Sequence, residues 1–214
     1  MRELEIGGLR FDMPATARFR QASMPMRVMP ERFGRCEIAL GRPGEGKSTW
    51  AARRAVQLAK ARGVEVVTTS DGPLTGWRQV TSMGQFLNLR NCVLHLDEVH
   101  YVSPGTTVAA LGTKEQAAAV AYFMTELRKF EVCVVATTQS WNRVSTVLRS
   151  VSTMVWGCKA FRTVGGGQWL AASPHETPPD GGKRLGAIQW HRPDWTTEID
   201  TNASAWFPGR QVML

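Results

Sequence analysis

The sequence predicts an α/β domain with a central, mostly parallel sheet flanked by helices and small β extensions at both ends. Three observations predict it. Short continuous apolar runs recur along the chain (CEIAL, VEVVT, CVLHL, VCVVAT), as strands buried on both faces do. Helical patterns separate several of them, and a repeated β-α order requires crossover connections and hence parallel strands. The glycine-rich stretch GRPGEGKST joins the first of these runs directly to the first helix.

That stretch organises the chain. Gly41, Gly46, Lys47 and Ser48 satisfy G-x-x-x-x-G-K-[ST], the phosphate-binding loop or Walker A pattern. Its glycines allow left-handed backbone, so successive N–H groups can converge on phosphate oxygens. The N-terminus of the following helix adds partial positive charge. The nucleotide-contacting candidates are Gly41, Gly44, Glu45, Gly46, Lys47, Ser48 and Thr49. Lys47 is expected on the β- and γ-phosphates of ATP and Ser48 on Mg²⁺.

The remaining elements follow in order. MRELEIGGLRFDM is expected to form a hairpin turning at Gly7-Gly8. Residues up to 35 carry seven arginines and three prolines, and read as an arm on a neighbouring subunit or as a cover for the sheet edge. Residues 47–62 place Trp50, Ala51, Ala55, Leu58 and Ala59 near one stripe, and Gly63 is suited to close the helix. Residues 64–68 are a strand. Residues 70–89, rich in glycine, are expected to be a loop with one short helix. Residues 114–130 form a helix closing on Arg128-Lys129. Residues 132–137 are a buried strand ending at Thr138-Gln139, followed by a short helix over 144–151 and a strand over 153–158. Gly165-Gly166-Gly167 looks like a hairpin tip. Residues 173–183 read as an exposed loop and 185–191 as a last strand. The tail adds Trp195 and Trp206 to Trp190, for packing or for stacking bases.

NCVLHLDEVH supplies the second half of the site. A buried strand carries Asp97 and Glu98 out at its C-terminal end, where α/β sheets place ligands. This is a Walker B pattern. Asp97 would hold Mg²⁺ through its water shell and Glu98 would polarise the attacking water. Two acids in this place can also cap a helix. With the P-loop, they point to a P-loop NTPase fold of the RecA/ASCE type. Expected boundaries are 1–35 for the N-terminal arm, 36–160 for the ATPase core, and 161–214 for a C-terminal hairpin and tryptophan-rich tail completing the same domain.

The 214 residues suffice for one such domain. The formal charge is +8, with 20 Arg against 6 Lys, which suggests a polyanionic partner. Cys36, Cys92, Cys133 and Cys158 fall in separate apolar runs, with no C-x-x-C spacing. They read as small buried hydrophobes in a reducing compartment. No apolar run approaches the ~18 residues of a membrane-spanning helix. The charged N-terminus lacks the apolar stretch of a secretory signal.

The series GRPGEGKS, VLHLDE, ELRKFEVCVVATTQS and VSTVLRSV resembles the FtsK–HerA family of DNA-pumping ATPases over about residues 36–158. Among its members, the chain is most similar to the small genome-packaging ATPases of membrane-containing icosahedral viruses. The resemblance implies that Gln139 senses the γ-phosphate and that an arginine reaches the site from the adjacent subunit. Arg128 is the first choice for that finger, with Arg149 and Arg143 behind it. It also implies a hexameric ring around double-stranded DNA, a capsid or membrane vertex protein as a further partner, and a place in the host cytoplasm or at the packaging vertex of a virion. Charge and loop placement nominate Arg78, Lys114, Arg162 and the Gly165–Gly167 tip for DNA contact. Three alternatives stay open: a filamentous-phage or zonula-occludens-toxin-like export ATPase acting on single-stranded DNA, a small P-loop kinase, and a nucleotide-gated scaffold. Glu98 and the net charge weigh against the last two.

Overall fold

The computed structural model describes residues 2–6, 9–13, 34–70, 76–99, 114–162, 168–176 and 184–191. The expected hairpin forms from β1 (Arg2–Ile6) and β2 (Leu9–Met13), paired antiparallel as a separate two-stranded sheet. The main sheet holds eight strands: β3 (Cys36–Leu40), β4 (Glu65–Thr68), β5 (Arg78–Gln79), β6 (Cys92–Leu96), β7 (Val132–Thr138), β8 (Met154–Arg162), β9 (Gln168–His175) and β10 (Gln189–His191). Their spatial order is β10-β9-β8-β3-β7-β6-β4-β5. From β8 to β5 every pairing is parallel; β9 and β10 extend the sheet antiparallel.

Four helices are described: α1 (Lys47–Arg62), α2 (Met83–Leu87), α3 (Lys114–Thr125) and α4 (Thr146–Val151). Helix α1 covers one face of the sheet. Its Trp50, Ala51, Ala55, Leu58 and Ala59 pack with Ala39, Val93, Val135, Trp156 and Cys158. The other face carries Ile38, Leu94, Leu96, Val134 and Ala136 under Phe86 of α2, Phe123 and Met124 of α3, and Leu148 of α4. Alternation along each strand thus splits the apolar runs between two cores, which is why those runs lack polar gaps. All four cysteines are buried free thiols, as their apolar surroundings suggested.

Four details depart from expectation. A two-residue strand, β5, lies inside the region read as loop. It pairs with the edge of β4 and is too short for any periodicity. Regular α-helix in α3 ends at Thr125, not at Phe130. The chain continues in tighter turns, with Glu131 left-handed (φ 57°). The Val132 N–H there donates to Leu127 O and the Glu131 N–H to Arg128 O, the two bonds of a Schellman closure. The strand β9 runs to His175, into residues read as loop, because it stays paired with β8 up to Val155. Regular pairing in β10 covers only the last three residues of 185–191. The tail beyond 191, with Trp195 and Trp206, lies outside the described residues, as do the 101–113 loop and the Gly165–Gly167 tip.

Two histidines tie folding to pH. Burial holds His95 of β6 below the ordinary value of 6.5, against an opposing pull from Asp97. Burial, and then the charge of Arg53, lowers His191 of β10 to about 4. The unfolded chain binds these protons near 6.5 while the native chain resists them. Their contribution is therefore complete above about 6.5 and is lost as pH falls below it, for His191 as pH approaches 4. Urea midpoints should drop between pH 7 and pH 5, and His191→Asn should flatten that drop. An unchanged slope in the variant would show that His191 titrates normally in the folded state.

Candidate nucleotide site

The parallel order determines which residues meet. Strand β7 lies between β3 and β6, with Leu40 opposite Thr138 and Leu96 opposite Ala136. The three strand ends therefore deliver Gly41, Gln139 and Asp97-Glu98 side by side at one edge of the sheet.

Local chemistry shapes the loop. Gly44 and Gly46 both have φ near +77° (78° and 76°), the left-handed region where a Cβ is strained. Gly46 is the N-cap of α1, and no side chain caps the helix there, so its first N–H groups remain available to an anion. Neighbouring groups press closely. A Cβ on Gly46 would lie 2.8 Å from Leu170 Cδ1 of β9, and one on Gly41 would lie 2.8 Å from the Cys158 carbonyl oxygen of β8. The β8–β9 hairpin thus forms a wall of the P-loop. Glu45 folds inward, its carboxylate accepting from the Arg42 N–H.

Lys47 is almost fully buried, and its Nζ donates to the Arg42 carbonyl at 3.3 Å. The same Nζ stands 4.0 Å from Glu98 Oε1. Gln139 Nε2 donates to that oxygen at 2.9 Å. Glu98 has φ 53°, unusual for a residue with a side chain and a form of local strain that functional sites accept. This turn directs its carboxylate toward Lys47 and Gln139. Ser48 Oγ donates to Asp97 Oδ1 at 3.0 Å, and Thr137 Oγ1 donates to the same oxygen at 2.6 Å. The Glu98 N–H donates to Thr137 Oγ1 at 2.8 Å.

One hydroxyl, that of Thr137, therefore orients both the Asp97 carboxylate and the Glu98 backbone. Sequence reasoning assigned it no role. The signal was a threonine just inside the strand end that precedes Gln139, facing the sheet side that bears Asp97.

The residues fit Mg²⁺ held together with nucleotide. Ser48 and Asp97 offer hard oxygen donors of the kind that ion takes. Among the described residues no cluster of three His, Cys, Asp or Glu side chains could hold a metal alone, so phosphate oxygens would have to complete the shell. The site would bind ATP through the P-loop amides and Lys47, with Thr49 in the first turn of α1 beside Ser48.

Other sequence candidates fall elsewhere. Arg128 is exposed in the turns before β7, at the opposite end of the sheet. Arg149 occupies the last turn of α4, which leads into the start of β8. Neither joins the cluster within one chain. Arg143 lies in the single 3-10 turn Trp141–Arg143 just after Gln139, and is exposed. Arg78 makes a bidentate pair with Glu65, with Nε at 3.1 Å and Nη2 at 2.7 Å from Oε1, so its charge is already matched. The side chains of Lys114 and Arg162 lie outside the described residues.

The crowding at Gly46 yields a test. Gly46→Ala should weaken binding of an ATP analogue by about tenfold or more, because strain and the Leu170 contact both displace the loop. Adding Leu170→Ala should recover only part, since the left-handed strain remains. Fluorescence titration of the three proteins measures it, and full recovery would assign the whole effect to Leu170.

The profile of the ATPase family associated with various cellular activities (AAA) matches residues 38–155. Among solved structures, the N-terminal domain of zonular occludens toxin from Neisseria meningitidis is 12% identical, with 73% of this chain and 93% of that one covered, at a TM-score of 0.49. The genome packaging NTPase B204 from Sulfolobus turreted icosahedral virus 2, in complex with ATP-gammaS, is 10% identical over 72% and 98%, at 0.47. The flagellar accessory protein FlaH from Methanocaldococcus jannaschii is 14% identical over 73% and 91%, at 0.47. No curated protein matches the chain in sequence. The family profile covers more than half of the chain, from the P-loop strand into β8, and the chain therefore belongs to the AAA family of P-loop ATPases, which bind ATP, usually with Mg²⁺.

Proposed function

We propose that this ATPase is a DNA-translocating motor of the FtsK–HerA type, a hexameric ring that pumps double-stranded viral DNA into a capsid. The observation that carries the reading is the Gln139–Glu98 contact, 2.9 Å at the ends of β7 and β6. A glutamine bonded to the polarising acid, on the strand between the two Walker motifs, can report the state of the γ-phosphate to the rest of the sheet. A kinase acting on a small metabolite has no need of that link.

Bound Mg²⁺–ATP supplies the phosphoanhydride to be cleaved. Lys47 neutralises charge on the phosphates, Ser48 and Asp97 would hold Mg²⁺, which would draw charge from the phosphate oxygens, and Glu98 orients water for in-line attack. Gln139 exchanges its bond to Glu98 for one to the γ-phosphate, and loss of phosphate reverses the exchange. The distance of Arg128 and Arg149 from the cluster of their own chain supports a role in trans, across a ring interface, where an arginine finger is worth about 10³–10⁵ in rate. The +8 charge favours a polyanion that neutralises it.

Hydrolysis should rise with double-stranded DNA, fall with added salt as phosphate contacts are screened, and disappear in Glu98→Gln. Hydrolysis indifferent to nucleic acid would overturn the motor reading. Stimulation by single strands alone would transfer it to the export ATPases.

The finger is tested separately. Rings mixed from Arg128→Ala and a Lys47→Ala subunit should regain activity that neither has alone. No regained activity would remove Arg128 from the role.

A further inference from the structure

Beneath the P-loop lies a buried ionic network that the roles above leave unused. Glu37 of β3 is fully buried, and Arg54 of α1 is 7% exposed. Arg54 Nε donates to Glu37 Oε2 at 2.9 Å and Nη2 donates to Oε1 at 2.8 Å, a two-bond fork. Trp156 Nε1 of β8 donates to Glu37 Oε2 at 2.9 Å. The Trp156 ring packs on Trp50 of α1, with centroids 4.7 Å apart. Arg35 Nε stands 3.7 Å from Glu37 Oε1.

The placement is specific to the two walls of the loop. Glu37 precedes Gly41 by four residues, and Arg54 follows Lys47 by seven, two helical turns along the same stripe. Apart from Trp50 and Leu58, the contact between α1 and the sheet is Ala51, Ala55 and Ala59, small side chains that bring the helix close but resist rolling little. A fork between planar ions tolerates neither movement. Rolling α1 enough to break it would also swing Lys47 away from the Arg42 carbonyl and Glu98. A buried ion pair contributes little net stability compared with an apolar pair of similar volume. Its use here calls for a different advantage, which is orientation.

We infer that Glu37, Arg54 and Trp156 are positioning residues for nucleotide binding: they fix the roll and axial register of α1 against β3, and so hold the P-loop amides and Lys47 where triphosphate needs them. Through Trp156 the same network ties this geometry to β8, whose hairpin presses Leu170 against Gly46. The inference rests on ATP binding at the P-loop, and wild-type binding is the control for that.

The test measures Kd for Mg²⁺–ATP analogue and thermal midpoint in wild type, Arg54→Lys, Glu37→Gln and the apolar pair Glu37→Leu/Arg54→Met. Arg54→Lys keeps the charge and loses the fork; affinity should fall about tenfold, as when a supporting hydrogen bond is withdrawn. Glu37→Gln withdraws the charge that the Arg54 fork engages, and both midpoint and affinity should fall. The apolar pair removes both charges but takes the acceptor from Trp156 Nε1 as well; its midpoint should rise above that of Glu37→Gln while affinity stays about tenfold weak. Affinity that recovers together with the midpoint would reduce the network to packing and overturn the inference. Unchanged affinity in Arg54→Lys would do the same. Absence of binding in wild type would instead refute the nucleotide site itself.

Discussion

The insertion of β7 between β3 and β6 is the constraint on which the site depends. In a parallel sheet, hydrogen-bond register sets which strand ends are neighbours, and here it aligns three ends whose residues are useless apart. Leu40 and Thr138 finish level, and Leu96 finishes two residues earlier opposite Ala136, so the acid pair emerges beside Thr137 and next to the P-loop and Gln139. Thr137, one residue inside that edge, can then bond Asp97 and the Glu98 amide at once. A slip of one residue in β7 would turn Thr137 to the opposite face and release both acids.

Helix α1 transmits the same order from the sheet to the phosphate loop. Its alanine-rich face lets it approach β3, β6 and β7 closely, and that closeness leaves few shape cues for its rotation. The Glu37–Arg54 fork and the Trp50–Trp156 contact add direction where the alanines add only proximity. The β8–β9 hairpin completes the enclosure, since its Cys158 carbonyl and Leu170 occupy the space that side chains at Gly41 and Gly46 would require. Both glycines are therefore demanded by contact, and Gly46 by its backbone angle too.

Charge is distributed unevenly with respect to this site. At the P-loop edge, Lys47 is buried near Glu98, and Ser48 and Thr137 share Asp97. The opposite end of the sheet holds Arg35, Arg90, Arg128 and Lys129, the residues that lead into β3, β6 and β7. Arg90 is engaged by the Leu87 and Leu89 carbonyls and by the Phe130 ring, and Lys129 by Glu126. Arg78, attractive by sequence as a contact for DNA, is matched to Glu65. Local partners thus absorb charges that a count of residues leaves free.

Sequence alone determined the βα framework, the P-loop with its helix from Lys47 to Arg62, and the position of Asp97-Glu98 at a strand end, because each is encoded by periodicity or by residues adjacent in the chain. It also nominated Gln139, through the residues around it. Tertiary structure decided what depends on register between distant segments. Thr137 meets Asp97 across 40 residues, and Trp156 meets Glu37 across 119, separations at which no local pattern operates. The two-residue strand β5 exists only because β4 offers it an edge. The turns that follow α3 close on a left-handed Glu131, a residue whose type does not announce one. Local chemistry writes its signal into neighbouring residues; the meeting of two strand ends is written only in the folded sheet.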